Sequence, residues 1–240
     1  ITIENPPENR FNERLVTEIT NSLETIKGND NLKLLVFTSG VQGVFSKGFS
    51  YKDRLPEHAG PFIAAFGHML YLLNEIPSIS ICEVDGPCIG GSMELMGFCD
   101  MVLASDRSTF GHPEIHAGLF PPVAAAFYPH LIGRNRTMEL LMTGQIIGAA
   151  EAYDMGLINR IFPLRRFAEE TEKFYTRIET ASALTLKLTK KAIDAALYEK
   201  VMTAIRTSEN IYVNELLPSR DAQEGVRAVI EGRKPKWLNR

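Results

Sequence analysis

The sequence predicts an α/β fold followed by a purely helical region. Up to about residue 165, apolar runs typical of buried strands alternate with amphipathic helical stretches. Beyond that point the apolar spacing is helical throughout, with breaks at Ser182, Pro218 and Gly232. The 240 residues suffice for one large domain or for a domain with an appendage. We therefore divide the chain into an α/β core, residues 1–165, and a helical region, residues 166–240.

The first elements follow the order strand, helix, strand. Residues 1–4 are predicted to end a strand, and Asn12 is a candidate cap for the next helix. The apolar face of that helix would hold Leu15, Ile19, Leu23 and Ile26. Residues 32–38 form a nearly continuous apolar run, which is typical of a strand buried on both faces. This order predicts a right-handed parallel unit.

A segment rich in turn-forming residues, SGVQGVFSKGF, follows that strand at residues 39–49. One interpretation is a backbone donor in the crevice where open α/β sheets bind ligands. The other is an ordinary loop, which the sequence alone favours. We expect a mobile segment at residues 56–60 and a helix at residues 62–76.

The central stretch, residues 79–122, contains the features on which a reaction site could be built. An apolar run is followed by a turn and by Gly90-Gly91, which opens an amphipathic segment. A glycine pair lets the backbone come close to a ligand, because no Cβ is in the way. The start of a helix also presents unpaired N–H groups with the helix dipole behind them. Such groups can bind an anion, or a carbonyl oxygen that gains negative charge.

Two glutamates in this stretch are candidate acid–base residues. Glu94 lies three residues after Gly91, within the first turn of the predicted helix, and Glu114 follows a second apolar run. If the fold places both acids against one reacting centre, the pair suits general acid–base catalysis. Each feature also has an ordinary structural explanation, since a Gly-Gly pair is often only a turn and such a glutamate often interacts only with the helix dipole.

The remaining chain is predicted to be mainly helical. A helix is expected near residues 135–142, a short one from residue 148, and an extended piece at residues 158–162. The helical region is divided into four segments, residues 166–181, 183–198, 199–217 and 219–231.

Composition restricts the classes of partner and compartment. The formal net charge of −3 gives no support for a nucleic-acid partner, and no apolar run approaches the roughly 20 residues of a membrane span. The three cysteines and the histidines fit no metal spacing, so we expect no metal site. Reduced cysteines are typical of a cytoplasmic protein, although a start at Ile1 leaves room for a preceding targeting segment.

Several motifs occur in a fixed order along the chain. They include Asn9-Arg10-Phe11-Asn12, Phe45-Ser46-Lys47-Gly48-Phe49, Gly86-Pro87-Cys88-Ile89-Gly90-Gly91-Ser92-Met93-Glu94-Leu95, Phe110-Gly111-His112-Pro113-Glu114 and Glu224-Gly225-Val226-Arg227-Ala228. In this order they resemble the crotonase family, the enoyl-CoA hydratase/isomerase superfamily, and the resemblance covers essentially the whole chain.

The resemblance implies a spiral of ββα turns, a helical C-terminal trimerisation region in residues 166–240, and an acyl-CoA thioester as substrate. Two backbone N–H groups would form an oxyanion hole for the thioester oxygen, and by motif position they belong to Phe49 and Gly91. Ser46, Lys47, Gly48 and Gly90 are the neighbouring candidates for substrate binding. The resemblance implies no cofactor besides the coenzyme A of the substrate, and a homotrimer or a dimer of trimers.

Hydratases of the family carry glutamate at both acidic positions, and Glu94 and Glu114 are both present here. The implied reaction is syn addition of water, in which Glu94 orients or deprotonates the water attacking Cβ and Glu114 delivers a proton to Cα. A double-bond isomerase that retains Glu94 is one alternative. A non-catalytic or RNA-binding homologue is another, against which the two intact acids and the low net charge argue.

The sequence departs from the family pattern at two places near the expected site. His112 stands where relatives commonly have glutamine, and it either orients Glu114 or takes a direct catalytic part. Phe120-Pro121-Pro122 replaces a glycine-rich loop and stiffens it. With Phe49, this loop suggests a pocket for a bulky acyl group, which makes Phe120 and Pro121 binding candidates. In this loop and in its C-terminal tail, with Ala-Gln-Glu-Gly at residues 222–225 and Arg-Lys-Pro-Lys-Trp at residues 233–237, the chain is similar to cyclohexadiene-carbonyl-CoA hydratases.

Overall fold

The computed structural model describes residues 1–29 and 31–239, which form a large parallel sheet, a small second sheet and surrounding helices. The strands, in chain order, are β1 (Thr2–Ile3), β2 (Leu34–Ser39), β3 (Ile79–Val84), β4 (Pro87–Ile89), β5 (Met101–Ser105), β6 (Thr109–Gly111), β7 (Ile146–Gly148) and β8 (Arg160–Phe162). The large sheet has the order β1-β2-β3-β5-β8, and its strand pairs are parallel. The predicted α/β class and the parallel first unit are therefore confirmed.

The small sheet has the order β4-β6-β7, with β4 and β6 parallel and β7 antiparallel to β6. Only Asp85 and Gly86 separate β3 from β4, so the chain passes from the large sheet into the small one at a corner. The path β5–β6 repeats this passage, and a helix follows each strand pair. These repeated strand–strand–helix turns agree with the expected spiral. Sequence reasoning missed β4, β6 and β7 because three residues are too few to show an apolar period.

The helices, in chain order, are α1 (Glu13–Ile26), α2 (Pro56–Glu75), α3 (Gly91–Phe98), α4 (Pro122–Leu131), α5 (Arg134–Thr143), α6 (Ala149–Met155), α7 (Phe167–Glu179), α8 (Ala183–Ile211) and α9 (Arg220–Ile230). Short 3₁₀ turns cover Lys52–Arg54, Pro113–Ala117 and Leu164–Arg166, and a π-helical turn, Tyr212–Leu216, follows α8. Among the described residues, no helix is both long and apolar enough to cross a membrane.

The structure confirms some of the predicted helix boundaries and contradicts others. The Asn12 side chain accepts a hydrogen bond from the N–H of Leu15 at 2.9 Å, so the predicted cap of α1 is confirmed. Residues 56–60, for which mobility is expected, form the first part of α2, and their mobility stays a prediction. The break expected between residues 198 and 199 is wrong, because α8 runs for 29 residues without interruption.

The C-terminal helices pack back onto the core of the same chain. On α8, the Lys190 Nζ lies 2.6 Å from Asp100 and donates to the carbonyl of Ser78. On α9, a Cβ at Gly225 would lie 2.0 Å from the carbonyl oxygen of Ala117, so α9 touches the backbone of the Pro113–Ala117 turn. This turn carries Glu114, and its position therefore depends on both halves of the chain. The role of residues 166–240 in oligomerisation stays a prediction.

Candidate active site

The two predicted donor loops are joined to each other by backbone and hydroxyl hydrogen bonds. The Ser92 hydroxyl, on α3, donates to the carbonyl oxygens of Ser46 and Ile89 at 3.1 and 2.9 Å. The N–H of Ile89 also donates to the carbonyl of Ser46. Gly48 has a φ of +80°, and a Cβ there would lie 2.6 Å from the Ile89 carbonyl oxygen. Only glycine fits this closely packed position.

The pairing of Phe49 with Phe11 fixes the direction of the Phe49 N–H group. Phe11 and Phe49 form a parallel bridge. The N–H of Phe11 donates to the carbonyl of Gly48, and the carbonyl of Phe11 accepts from the N–H of Ser50. The N–H of Phe49 therefore points away from Phe11. Gly91 is the first residue of α3, so its N–H is among those that have no acceptor within the helix. Among the described residues, neither N–H group donates to a protein acceptor.

The ring of Phe49 fills the space beside Gly91. A Cβ at Gly91 would lie 2.2 Å from Cε1 and 2.3 Å from Cζ of this ring. The ring itself is held edge-to-face by Phe62 and Phe66, with centroid distances of 5.0 and 4.7 Å. The guanidinium carbon of Arg54 lies 5.0 Å from the Phe49 centroid. The two donor loops therefore fit together only with glycine at position 91.

Glu94 is directed from α3 to the first turn of α4. Its Oε1 accepts hydrogen bonds from the N–H groups of Val123 and Ala124 at 2.7 and 3.1 Å, whereas its Oε2 has no partner among the described residues. Burial raises the pKa of Glu94 to about 8, the negative charge of Glu114 acts in the same direction, and the two backbone hydrogen bonds oppose it. Glu94 can therefore hold a proton near neutral pH.

Glu114 lies in a different electrostatic environment. Its Oε1 lies 3.4 Å from Nη2 of Arg54, and its Oε2 lies 3.5 Å from Nδ1 of His112. Burial opposes ionisation of Glu114, but the charges of His112 and Arg54 outweigh it and lower the pKa of this carboxyl below its usual value. The structure thus brings the two predicted acids together, and their environments push their pKa values in opposite directions.

A cavity of about 270 Å³ opens beside these groups. Its wall includes Lys47, Gly48, Phe49, Arg54, Gly90 and Glu114, together with Val229 from α9. Glu94 is not among the wall residues and has only 1% of its surface exposed. The volume lies near the lower end of the range for small-molecule sites.

Three predicted substrate-binding residues occupy other places. Ser46 is fully buried, and its hydroxyl accepts a hydrogen bond from the N–H of Gly48 at 3.1 Å, so it shapes the loop from behind. Phe120 packs edge-to-face on Tyr212 at 5.3 Å, and Pro121 precedes α4. None of the three lines the cavity, and direct contact with substrate stays a prediction for each. Lys47 lines the cavity but pairs with Glu8 at 2.7 Å.

Sequence reasoning missed two residues of this site. Arg54 ends a 3₁₀ turn that has no apolar period, and nothing in the sequence indicates that it reaches Glu114. Tyr212 follows α8, far along the chain, and the charges of Arg54, Glu114 and Glu94 all act on its phenol. In the described part of the chain, no cluster of three His, Cys, Asp or Glu side chains could hold a metal ion.

A sequence model described as enoyl-CoA hydratase/isomerase matches residues 1–240. The chain belongs to this family. The match covers every residue and therefore includes the glycine pair, both acids and the helical region. It confirms the resemblance stated above, and with it an enzyme of the enoyl-CoA hydratase type.

Curated relatives share about a quarter of their residues with the chain. A probable mitochondrial enoyl-CoA hydratase of Dictyostelium discoideum is 27% identical, and the alignment covers 100% of the chain and 87% of the relative. A cyclohexa-1,5-dienecarbonyl-CoA hydratase of Thauera aromatica is 28% identical over 82% of the chain and 76% of its own length.

Solved structures agree with the fold. An enoyl-CoA hydratase from Mycobacterium avium subsp. paratuberculosis superposes with a TM-score of 0.87 at 26% identity, covering 99% of the chain and 94% of that structure. An enoyl-CoA hydratase/isomerase from Pseudoalteromonas atlantica gives the same TM-score at 27% identity, with the same coverage. The crotonase-like fold predicted from the motifs is therefore confirmed.

Proposed function

We propose that the protein adds water across the α,β double bond of an enoyl-CoA thioester, and that it catalyses the reverse dehydration at the same site. The observation that carries this proposal is the buried pair of Glu94 and Glu114 beside two free backbone donors. Hydratase-named relatives support the same reaction. The reaction needs no cofactor besides the coenzyme A of the substrate.

The N–H groups of Phe49 and Gly91 would hold the thioester oxygen. Negative charge develops on this oxygen when the thioester becomes an enolate, and preorganised donors stabilise that charge without reorganising. The start of α3 adds the favourable end of a helix dipole at Gly91. Both donors are main-chain groups, so the phenylalanine at position 49 is compatible with this role.

The two acids would exchange one proton each with the substrate. In hydration, the Glu94 carboxylate takes a proton from water as the oxygen bonds to Cβ, and Glu114 gives a proton to Cα. In dehydration, Glu114 takes the Cα proton and Glu94 protonates the departing hydroxyl. Each direction ends in the protonation state from which the other begins, and the pair carries one proton throughout.

A panel of thioesters tests this function. We expect crotonyl-CoA, a longer enoyl-CoA or a cyclic dienoyl-CoA to lose the absorbance of the conjugated thioester and to gain the mass of one water. A shifted double bond without added water would identify an isomerase instead. An absence of turnover with every ester, from folded protein, would contradict an enzymatic role.

We further propose that the substrate carries a bulky, cyclic acyl group. The Phe49 ring lines the cavity and is held by Phe62 and Phe66. Phe120 and Pro121 do not line the cavity and support this proposal only by stiffening the loop before α4. The relative from Thauera aromatica is named for a cyclic dienoyl ester. Within the panel, turnover of the cyclic ester alone supports this refinement, whereas efficient turnover of crotonyl-CoA contradicts it.

We also propose that the active form is a homotrimer or a dimer of trimers. The first half of α8 exposes Leu184, Leu188 and Ile193, which are large apolar side chains. Replacing Leu184 and Leu188 by glutamate is expected to shift the protein to monomer in sedimentation velocity. Asn21→Glu, on the exposed face of α1, is the control. A monomeric wild-type protein at micromolar concentration would contradict the proposal.

A further inference from the structure

Arg54 contacts only one of the two acids. Its Nη2 lies 3.4 Å from Oε1 of Glu114, whereas Glu94 is bonded to the backbone of α4 instead. The Arg54 side chain is buried, with 6% of the residue exposed, and its guanidinium lies over the Phe49 ring. Its Nε has no hydrogen-bond partner among the described residues. This cation is therefore fixed within the wall of the reaction site.

His112 and Arg54 both stabilise the Glu114 anion. The other titratable groups that interact with Glu114 are Glu94, Tyr128 and Tyr212. Of these, Glu94 adds negative charge when ionised, and the two phenols are neutral near pH 7 because burial raises their pKa values. His116, Arg10 and Lys47 line the same cavity, and the last two pair with Glu8. Within the described residues, Arg54 is thus the permanently charged cation in contact with Glu114, since a guanidinium keeps its proton.

We propose that Arg54 is a positioning residue that holds Glu114 as the anionic member of the pair and leaves the shared proton on Glu94. This inference rests on the proposed function. Its consequence is that the resting site is set for the dehydration direction and can take a proton from Cα of a bound thioester at once, whereas hydration starts after the shared proton has passed to Glu114. In that step the Glu114 carboxylate binds the Cα proton, and the electron pair of the C–H bond moves into the enolate, whose oxygen meets the two backbone donors.

Exchange of the Cα proton with D₂O isolates this step, because it needs the base but no attack by water on Cβ. A saturated acyl-CoA, butyryl-CoA, is incubated with the enzyme across a series of pD values, and deuterium gain is followed by mass spectrometry. In Arg54→Met, the rise of exchange rate with pD is expected to move to higher pD, since loss of the cation makes Glu114 easier to protonate. On the acidic side the rate should fall about tenfold, with recovery at high pD.

Two further variants make the experiment decisive. Arg54→Lys keeps a charge and should restore much of the acidic-side rate, whereas Arg14→Met removes an exposed charge on α1 and should leave the profile unchanged. A purely structural role of Arg54 would lower the rate equally at every pD, and that result would overturn the inference. Exchange without hydration in the wild-type enzyme would instead reject the proposed function and leave the Arg54 test valid.

Discussion

Replacing Glu114 by glutamine is expected to lower kcat for hydration by about 10²–10⁴-fold, which is the usual contribution of a general acid–base residue. The amide has the shape of the acid but can neither deliver a proton to Cα nor remove one. Binding of a CoA thioester should survive, because the proposed oxyanion donors belong to the backbone of other residues. The measurements are steady-state hydration and thioester affinity by isothermal titration calorimetry.

Glu94→Gln separates the roles of the two acids. Both variants should lose hydration, but only Glu114→Gln should lose exchange of the Cα proton with D₂O. Glu139→Gln, on the exposed surface of α5, changes the net charge by the same amount and should leave both activities intact. Thermal melting checks folding, since Glu114→Gln leaves the buried Arg54 without its anionic neighbour. Full turnover by Glu114→Gln would show that the proposed role is wrong.

The location of the site could be predicted because its parts are local in sequence. The glycine pair, the helix start and Glu94 lie within a few residues, and their order carries the resemblance to the family. The sequence leaves open whether Glu94 and Glu114 come close to each other. In the structure Glu94 follows β4 and Glu114 follows β6, and these two strands pair in parallel. Periodicity found the long elements and missed the strands of three residues.

Residues that reach the site only through tertiary packing could not be predicted. Arg54 lies in a short turn beside charged residues. The local sequence would look the same if its side chain were exposed to solvent, so it does not indicate burial. Tyr212 belongs to the helical region, which the sequence pattern divides from the core, yet its ring packs on Phe120. The predicted break in α8 failed for a related reason, since packing against α4 and the core stabilises a helix beyond its own sequence signals.

Gly91→Ala is expected to lower kcat for hydration by about 10²–10³-fold, the cost of losing one oxyanion donor. The new Cβ would fall 2.2 Å from the Phe49 ring, closer than non-bonded carbon atoms approach. The ring cannot simply turn aside, because Phe62 and Phe66 hold it edge-to-face and Arg54 lies over it. The two donor loops must therefore separate, which moves both N–H groups away from the thioester oxygen.

Removing the ring should reverse much of this loss. Phe49→Ala keeps the backbone N–H of residue 49, so the double variant Phe49→Ala/Gly91→Ala should be about as active as Phe49→Ala alone and more active than Gly91→Ala. The comparison is a double-mutant cycle, in which strong coupling reports a direct clash between the two positions. Phe→Ala in a packed core costs about 3–5 kcal/mol of stability, so kinetics are measured well below the melting temperature of each variant.

Gly60→Ala is the matched control for this cycle. Gly60 lies within α2, and a Cβ there would meet only the Val213 side chain at 3.9 Å, so activity should not change. A folded double variant that is no more active than Gly91→Ala would show that the Phe49 ring does not cause the loss. Wild-type activity in Gly91→Ala would show that catalysis does not depend on the position of the residue 91 N–H group in the structure. The cycle therefore tests the two backbone donors while both N–H groups are kept. Substitutions of the Glu94 and Glu114 side chains cannot test these donors.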